Sequence, residues 1–516
     1  MNLPTPSDWY TALAALDSFY LAIWMIAALL IALYLLIEHA FNLKPPKLGL
    51  DWLNHHYFWH LLWTMAFLLR VPRYFTSFWY DETFTGVMAR LPLDRFFEAL
   101  KGDVHPPLHY IIAKASIFLL GDSDFALRFP SLIAGLALIY VMYRLALSIT
   151  QDERVARLTA LLVALLSAMI HYSGEARYPI LLALAICTAW LALLEDEPIC
   201  FVLAGSATGL LHATGVIYTA ILLLMALYIG HNHKRLWKSL EWTISIMLVT
   251  VLVGCYGVFV ITQSSDISNG FWLWAMLPTW HVAEGLVMMP SPELMIPIYL
   301  GVVILFIAGS LAMFRFMRTR TIWIALAIFP PLTLFVLGLL WHPVYLPRAL
   351  LASSIIPLIG WSWLAVHSKR KGLYQLLIAF TVICSLFSYI YQMIQQSDDM
   401  TFDKAFAMCN ESEYIYTTST NMSIASLYYH PERSLAFIDG NNQHQELPLK
   451  ARQAMGFDFM PPEIVFRDLC TVVNWNYYTT QDEIDRIAQL KELYPYTNEY
   501  LELDAFGFYE VIHFHD

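Results

Sequence analysis

Trp79-Tyr80-Asp81-Glu82-Thr83-Phe84, followed further on by Gly102-Asp103-Val104-His105-Pro106-Pro107-Leu108-His109-Tyr110, gathers carboxylates and histidine between long apolar runs. Elsewhere the chain keeps its charges at the ends of such runs. Of its 516 residues 58% are hydrophobic and only 14% charged, with a mean hydropathy of +0.55. That is too apolar for a soluble enzyme. Many of the runs reach the roughly 17–25 residues that cross a bilayer as a helix. The chain therefore reads as a polytopic α-helical membrane protein, and the quoted stretch as a loop held against the membrane surface.

Apolar spans are predicted near 18–38, 55–71, 128–148, 157–171, 178–194, 199–213, 215–230, 239–262, 294–314, 322–341, 346–366 and 373–395, about twelve transmembrane helices in all. No cleavable signal peptide is expected, because the first 17 residues lack a basic stretch. Basic residues collect at Lys44/Lys47, Arg144/Arg154/Arg157, Lys234/Arg235/Lys238, Arg315/Arg318/Arg320 and Lys369/Arg370/Lys371. If the spans alternate, every one of these clusters falls on one side, and the excess of Lys and Arg makes that side the cytoplasm. The opposite side receives the loops 72–127 and 263–293, the turns 171–179 and 342–348, and the tail. Within the first loop, 107–120 is apolar but too short to span, so an interfacial helix is expected there. The loop 263–293, with Trp272, Trp274 and Trp280, reads as a second segment at headgroup depth. The expected organisation is a membrane segment and linker over 1–54, a catalytic membrane domain over 55–395, and an extracytoplasmic α/β domain over 396–516.

The tail alternates strand and helix signals: strands at 413–417, 434–438 and 506–514, a helix near 420–429, and a capping box Thr480-Gln481-Asp482-Glu483 opening another helix. From Gln396 onward 20 acidic residues face 7 basic ones, which argues against a nucleic-acid partner. Cys409 and Cys470 pair as a disulfide if the tail lies in an oxidising compartment; a free-thiol reading fits equally.

Asp81 and Glu82 follow an aromatic triplet at the membrane surface, where partial burial raises a carboxylate toward the range of a general base. Two solvated loop carboxylates are the plainer reading. Asp103 and His105 precede Pro106-Pro107, which favours a helix start. They fit helix capping, half of a divalent-metal site, or contact with phosphate oxygens. Arg128, Arg177 and Arg348 open or precede three different spans on the side disfavoured for arginine. They are either snorkelling anchors or a bidentate cradle for phosphate. Glu175 is a candidate salt-bridge partner of Arg177, and His212 a weaker site candidate. No glycine-rich nucleotide loop and no Cys-x-x-Cys motif accompany them.

In these residues, taken in order over about 55–370, the chain resembles the GT-C superfamily of membrane glycosyltransferases. It looks most like the branch of protein O-mannosyltransferases and lipid A aminoarabinose transferases. The similarity runs through Asp81-Glu82, Asp103-Val104-His105-Pro106-Pro107-Leu108, Leu127-Arg128-Phe129-Pro130-Ser131-Leu132, the stretch from His171 through Tyr172-Ser173-Gly174-Glu175-Ala176-Arg177-Tyr178, and Tyr345 with Arg348. It implies a polyprenyl-phosphate-linked sugar donor, a lipid, glycan or protein acceptor, and inverting transfer on the outer face of the plasma (inner) membrane. Asp81 would be the base and Glu82 would orient it or the acceptor. Arg128, Arg177, Tyr345 and Arg348 would surround the donor phosphate, with His171, Glu175, Tyr178 and His212 as further candidates. Some relatives use a divalent metal ion and others none, so Asp103 and His105 keep an open role. A transporter or lipid flippase is the alternative class; its mark would be ionisable residues deep within spans.

Overall fold

The computed structural model of the chain describes residues 50, 53, 57–103, 105–233, 240–267, 307, 311, 324–340, 347–399, 402–412, 414–417, 420–432, 434–436, 453–456, 458–459, 468–476, 481–503 and 507–515. The predicted spans 18–38 and 294–314, the loop 263–293 beyond Ile267, and Tyr345 lie outside them, apart from the isolated residues 307 and 311.

Helix α1 (Phe58–Arg70) runs into a 3-10 turn, Val71–Phe75. The predicted outer loop carries α2 (Tyr80–Arg90), α3 (Leu93–Leu100) and α4 (Leu108–Leu120). Then come α5 (Asp124–Thr150), α6 (Glu153–Leu165), α7 (Ser167–Ser173), α8 (Pro179–Glu195), α9 (Pro198–Leu211), α10 (Gly215–His233), α11 (Leu240–Ile267) and α12 (Ile324–Leu340). A 3-10 turn, Pro347–Leu350, leads into α13 (Leu351–Ile355), α14 (Leu358–His367) and α15 (Lys371–Asp399). Ten of the twelve predicted spans thus fall on helices. Among the described residues, three helical segments are by length and composition fit to cross a membrane (Asp124–Thr150, Leu240–Gly257 and Arg348–His367), and a fourth if the bent pair α6–α7 counts as one. Several other apolar helices are shorter; α8 has 17 residues and α9 has 14.

The pair α6–α7 shows how backbone polarity is managed inside an apolar bundle. The helix breaks at Leu166, whose ψ of 131° is extended, and turns by 61°. A break strands carbonyls and amides that lipid cannot satisfy. The buried Arg70 reaches in from α1 and donates to Ala164 O at 3.2 Å and Val163 O at 3.5 Å, while its Nε donates to Ser173 Oγ at 3.0 Å. Ser385 of α15 accepts the orphaned amide of Ser167 at 2.6 Å. A Cβ at Gly135 would lie 1.9 Å from Ser173 Oγ, so α5 approaches α7 this closely only through glycine.

Past α15 come α16 (Phe402–Ala407), β1 (Tyr414–Thr417), α17 (Thr420–Tyr429), β2 (Ser434–Ala436), β3 (Asp458–Phe459), β4 (Asp468–Asn476), α18 (Gln481–Leu493), β5 (Tyr496–Leu503) and β6 (Gly507–His515). They form a six-stranded sheet in the order β3-β2-β1-β4-β6-β5, parallel from β3 to β4 and antiparallel beyond. Helix α17 is the crossover of a β1–α17–β2 unit. The strands β3, β4 and β5 are additions to the three expected. A disulfide joins Cys409 to Cys470, linking the segment after α16 to the central strand β4.

Arg70→Met removes the donors that fill the break. Each buried carbonyl left unsatisfied costs about 1–3 kcal/mol, so the thermal midpoint of the protein in detergent should drop by several degrees. An unchanged midpoint would show that the break does not depend on Arg70.

Candidate functional site

Helix α2 brings the two adjacent carboxylates into different environments. It starts after Trp79, whose backbone is extended (φ −94°, ψ 174°), so both acids sit in its first turn, where the helix dipole favours negative charge. Its far end is closed by Lys114 of α4, which donates to Ala89 O at 2.8 Å and to Leu91 O. Successive helical residues point about 100° apart. Glu82 therefore turns into the protein while Asp81 faces the cleft between α2 and the turns that carry Arg177 and Arg348.

Glu82 is fully buried and takes a bidentate hydrogen bond from Arg128 of α5, both contacts 2.7 Å, and a third from Ala176 N at 2.8 Å. The remaining Arg128 donors go to Arg73 O at 2.6 Å, Thr76 O at 2.8 Å and Ser77 O at 3.2 Å, and the guanidinium lies 4.6 Å from the centre of the Phe78 ring. Glu175 belongs to the same buried layer. Its Oε1 contacts His171 Nε2 at 2.7 Å and Arg73 Nη2 at 3.1 Å. The predicted Glu175–Arg177 pair is therefore corrected: Arg73 and His171 hold Glu175. Burial alone would push its carboxyl up, yet His171, Arg73 and Arg348 bring it down to about 2.

The other layer faces the cleft. Asp81 Oδ2 has Arg348 Nη2 at 2.8 Å and Arg177 Nη2 at 3.2 Å. Neither contact is well directed as a hydrogen bond, so the carboxylate is held by charge, not by a closed bonding set. Burial pushes the Asp81 carboxyl up, but Arg177, Arg348 and His105 outweigh it and hold it below the ordinary carboxylate value. Arg177 Nη2 also contacts His105 Nε2 at 3.3 Å. On the other side of that ring, Nδ1 lies 3.1 Å from Asp103 Oδ1, while Tyr110 donates to Asp103 Oδ2 at 2.6 Å. Asp103 too is held low, with its burial overcome by His105 and Tyr110. Tyr178 and His212 stack at 4.1 Å and 14°, with the His105 ring 5.5 Å and 5.6 Å from them, which gives the cleft an aromatic wall.

Residues 104–260 match the family described as dolichyl-phosphate-mannose-protein mannosyltransferase. No curated protein sequence matches the chain. Among solved structures, ArnT from Cupriavidus metallidurans in the apo state superposes with a TM-score of 0.55 at 12% identity, covering 88% of this chain and 97% of that one. The same enzyme bound to undecaprenyl phosphate gives 0.51 at the same identity and coverage. The chain has the GT-C fold.

Within this GT-C fold, Asp81, Asp103, His105, Arg177, Tyr178, His212 and Arg348 converge on one cleft from four parts of the chain. Glu82, Arg128, His171 and Glu175 form the layer beneath, with their charges engaged by one another and by Arg73. Arg73, Trp79, Thr85, His109 and Tyr110 were not foreseen. Arg73 carried a usable signal, since it falls on the side predicted to be disfavoured for arginine, like Arg128, Arg177 and Arg348. His109 packs beneath the cleft, its Nε2 3.3 Å from Thr85 Oγ1 and 3.1 Å from Ala176 O. As a metal site the Asp103–His105 pair does not fit: both carboxylate oxygens are taken, and among the described residues no three His, Cys, Asp or Glu side chains converge.

Removing one partner of a buried ion pair leaves the other uncompensated, at about 3–5 kcal/mol. Glu82→Gln should therefore lower the unfolding midpoint sharply, and adding Arg128→Met to it should cost less than the two single effects summed. Full additivity would contradict the pairing.

Proposed function

We propose that the protein is a membrane glycosyltransferase that moves a sugar from a polyprenyl-phosphate-linked donor to a lipid, glycan or protein acceptor on the outer face of the plasma membrane, within a bundle of about twelve spans. The observation that carries this reading is the pair of guanidinium groups, Arg177 and Arg348, meeting a single ionised carboxylate at the mouth of an apolar helical bundle. Trp79 Nε1, Arg177 Nε and Arg348 Nε are buried donors without a hydrogen-bond partner among the described residues, and they suit a phosphate. The likeness to ArnT, solved with undecaprenyl phosphate, supports a lipid-borne phosphate as the group they await.

The reaction is a single displacement. A bond forms from the acceptor oxygen to the anomeric carbon as the bond from that carbon to the phosphate oxygen breaks. The electron pair leaves with the phosphate, and the acceptor proton goes to Asp81. Arg348 and Arg177, with Tyr345 as a further proposed contact, stabilise the departing phosphate. Their movement onto the donor removes the counter-charge from Asp81. Its carboxylate is thereby a poor base in the free protein and a stronger one once the donor is bound. The aromatic wall of Tyr178, His212 and His105 would flank the sugar. Glu82 and Arg128 anchor the base, and we assign them no contact with the donor.

Transfer from a panel of radiolabelled polyprenyl-phosphate sugars by purified protein tests this. One donor should give product, and Asp81→Asn should abolish it; equal activity in the variant would remove Asp81 from the chemistry. The acid limb of kcat/KM reports the free enzyme. Because the Asp81 carboxyl is held below its ordinary value of about 3.9, activity should fall only below about pH 4, and the limb should move upward in Arg348→Gln. An unmoved limb would contradict the coupling.

A further inference from the structure

The helix that bears Asp81 is not held by the membrane domain alone. Its outward side packs against α17 of the C-terminal domain, and one residue, Tyr428, makes most of the specific contacts. Gly86 of α2 lies directly under the Tyr428 ring: a Cβ there would sit 2.2 Å from Cε2 and 2.7 Å from Cδ2. The ring stacks on Phe78 at 5.4 Å and 28°, and Phe78 in turn carries the Arg128 guanidinium that grips Glu82. Arg90, the last residue of α2, lies 4.0 Å from the centre of the same ring and donates to Tyr428 O at 3.2 Å. The Tyr428 hydroxyl donates to Asp124, the first residue of α5, one turn before Arg128. Around this ring Ile424, Leu427 and Met455 of the C-terminal domain share one apolar cluster with Phe84, Val87 and Met88 of α2. Tyr80, the neighbour of Asp81, packs against both that cluster and the core containing Cys409 and Cys470.

We infer that Tyr428 is a positioning residue: through α17 the C-terminal domain clamps α2 between its two ends and thereby sets where the Asp81 carboxylate stands in the cleft. The inference rests on the glycosyltransferase reading, and it gives the C-terminal domain a part in the reaction besides any contact with the acceptor. Tyr428 lies on the side of α2 away from the cleft, so it does not touch donor or acceptor. Its loss therefore bears on the chemical step, through the base, and leaves donor binding by Arg177 and Arg348 in place.

Two readouts on the full-length protein in detergent test this. Tyr428→Ala should raise hydrogen exchange in residues 80–90 while leaving α8 protected. It should lower kcat by roughly 10–100-fold, the scale of an ångström-sized misplacement, with the donor KM nearly unchanged. Tyr428→Phe, which keeps the ring over Gly86, should retain most of kcat. Gly86→Ala, a helix-favouring change that collides with the ring, should lower kcat alike. The double variant should be no worse than Tyr428→Ala alone, because the added methyl then fills the vacated space. Gly86→Ala carries the test if Tyr428→Ala does not accumulate. Unchanged exchange in α2, a rise in KM in place of the fall in kcat, or losses that multiply in the double variant would overturn the inference. A wild type that transfers no sugar while α2 exchange responds to Tyr428→Ala would instead overturn the transferase reading.

Discussion

The buried pair between Glu82 and Arg128 is the interaction on which the site is built. Five acceptors surround one guanidinium: two carboxylate oxygens and three backbone carbonyls of the turn leading into α2. This fastens the start of α2 to α5 and fixes the path of the chain between Arg73 and Ser77. A fully desolvated charge pair is weak evidence for net stability, but here it determines direction. Because Glu82 is turned inward, its neighbour Asp81 must face the cleft. Beneath it, Arg73, His171 and Glu175 repeat the arrangement and tie the loop to the turn that carries Arg177.

The result is two layers of charge with different degrees of completion. In the lower layer each charged group is paired with an opposite one, and Glu175 Oε2 alone of the two buried glutamates' oxygens lacks a hydrogen-bond partner among the described residues. In the upper layer Asp81 is held by two cations without a well-directed hydrogen bond, and donors on Trp79, Arg177 and Arg348 lack partners among the described residues. Unmatched buried donors are costly in a finished fold. Their concentration at the end of a bundle with an apolar interior is the feature on which the proposed binding of an anionic, lipid-borne substrate rests. The C-terminal domain adds a third constraint from above, closing the side of α2 that the membrane helices leave open.

Hydropathy made the apolar helices legible. The tail helices at 420–429 and from 481 onward were readable from local chemistry alone. What could not be read were the non-local devices. Leu166 carries no proline or glycine signature, and its break is tolerated because Arg70 and Ser385 arrive from distant positions. Strand β4 was passed over, although Thr471, Val472 and Val473 are a β-branched run; its place at the centre of the sheet depends on partners on both sides. At the site, Asp81 and Glu82 are equivalent as letters, and only the helical turn between them separates an inward ion pair from a cleft-facing carboxylate. Arg128, Arg177 and Arg348 likewise share one sequence signal. Their surroundings divide them into one that is saturated by the protein and two that are not.

The central claim is that Arg177 and Arg348 exchange the Asp81 carboxylate for a lipid phosphate. A cryo-EM structure of the protein in lipid nanodiscs loaded with polyprenyl phosphate tests it most directly. The account predicts the phosphate within hydrogen-bond distance of both guanidinium groups, with Arg348 drawn away from its 2.8 Å contact with Asp81 and Glu82 still clasped by Arg128. A phosphate bound elsewhere, with the Arg348–Asp81 contact intact, would contradict it.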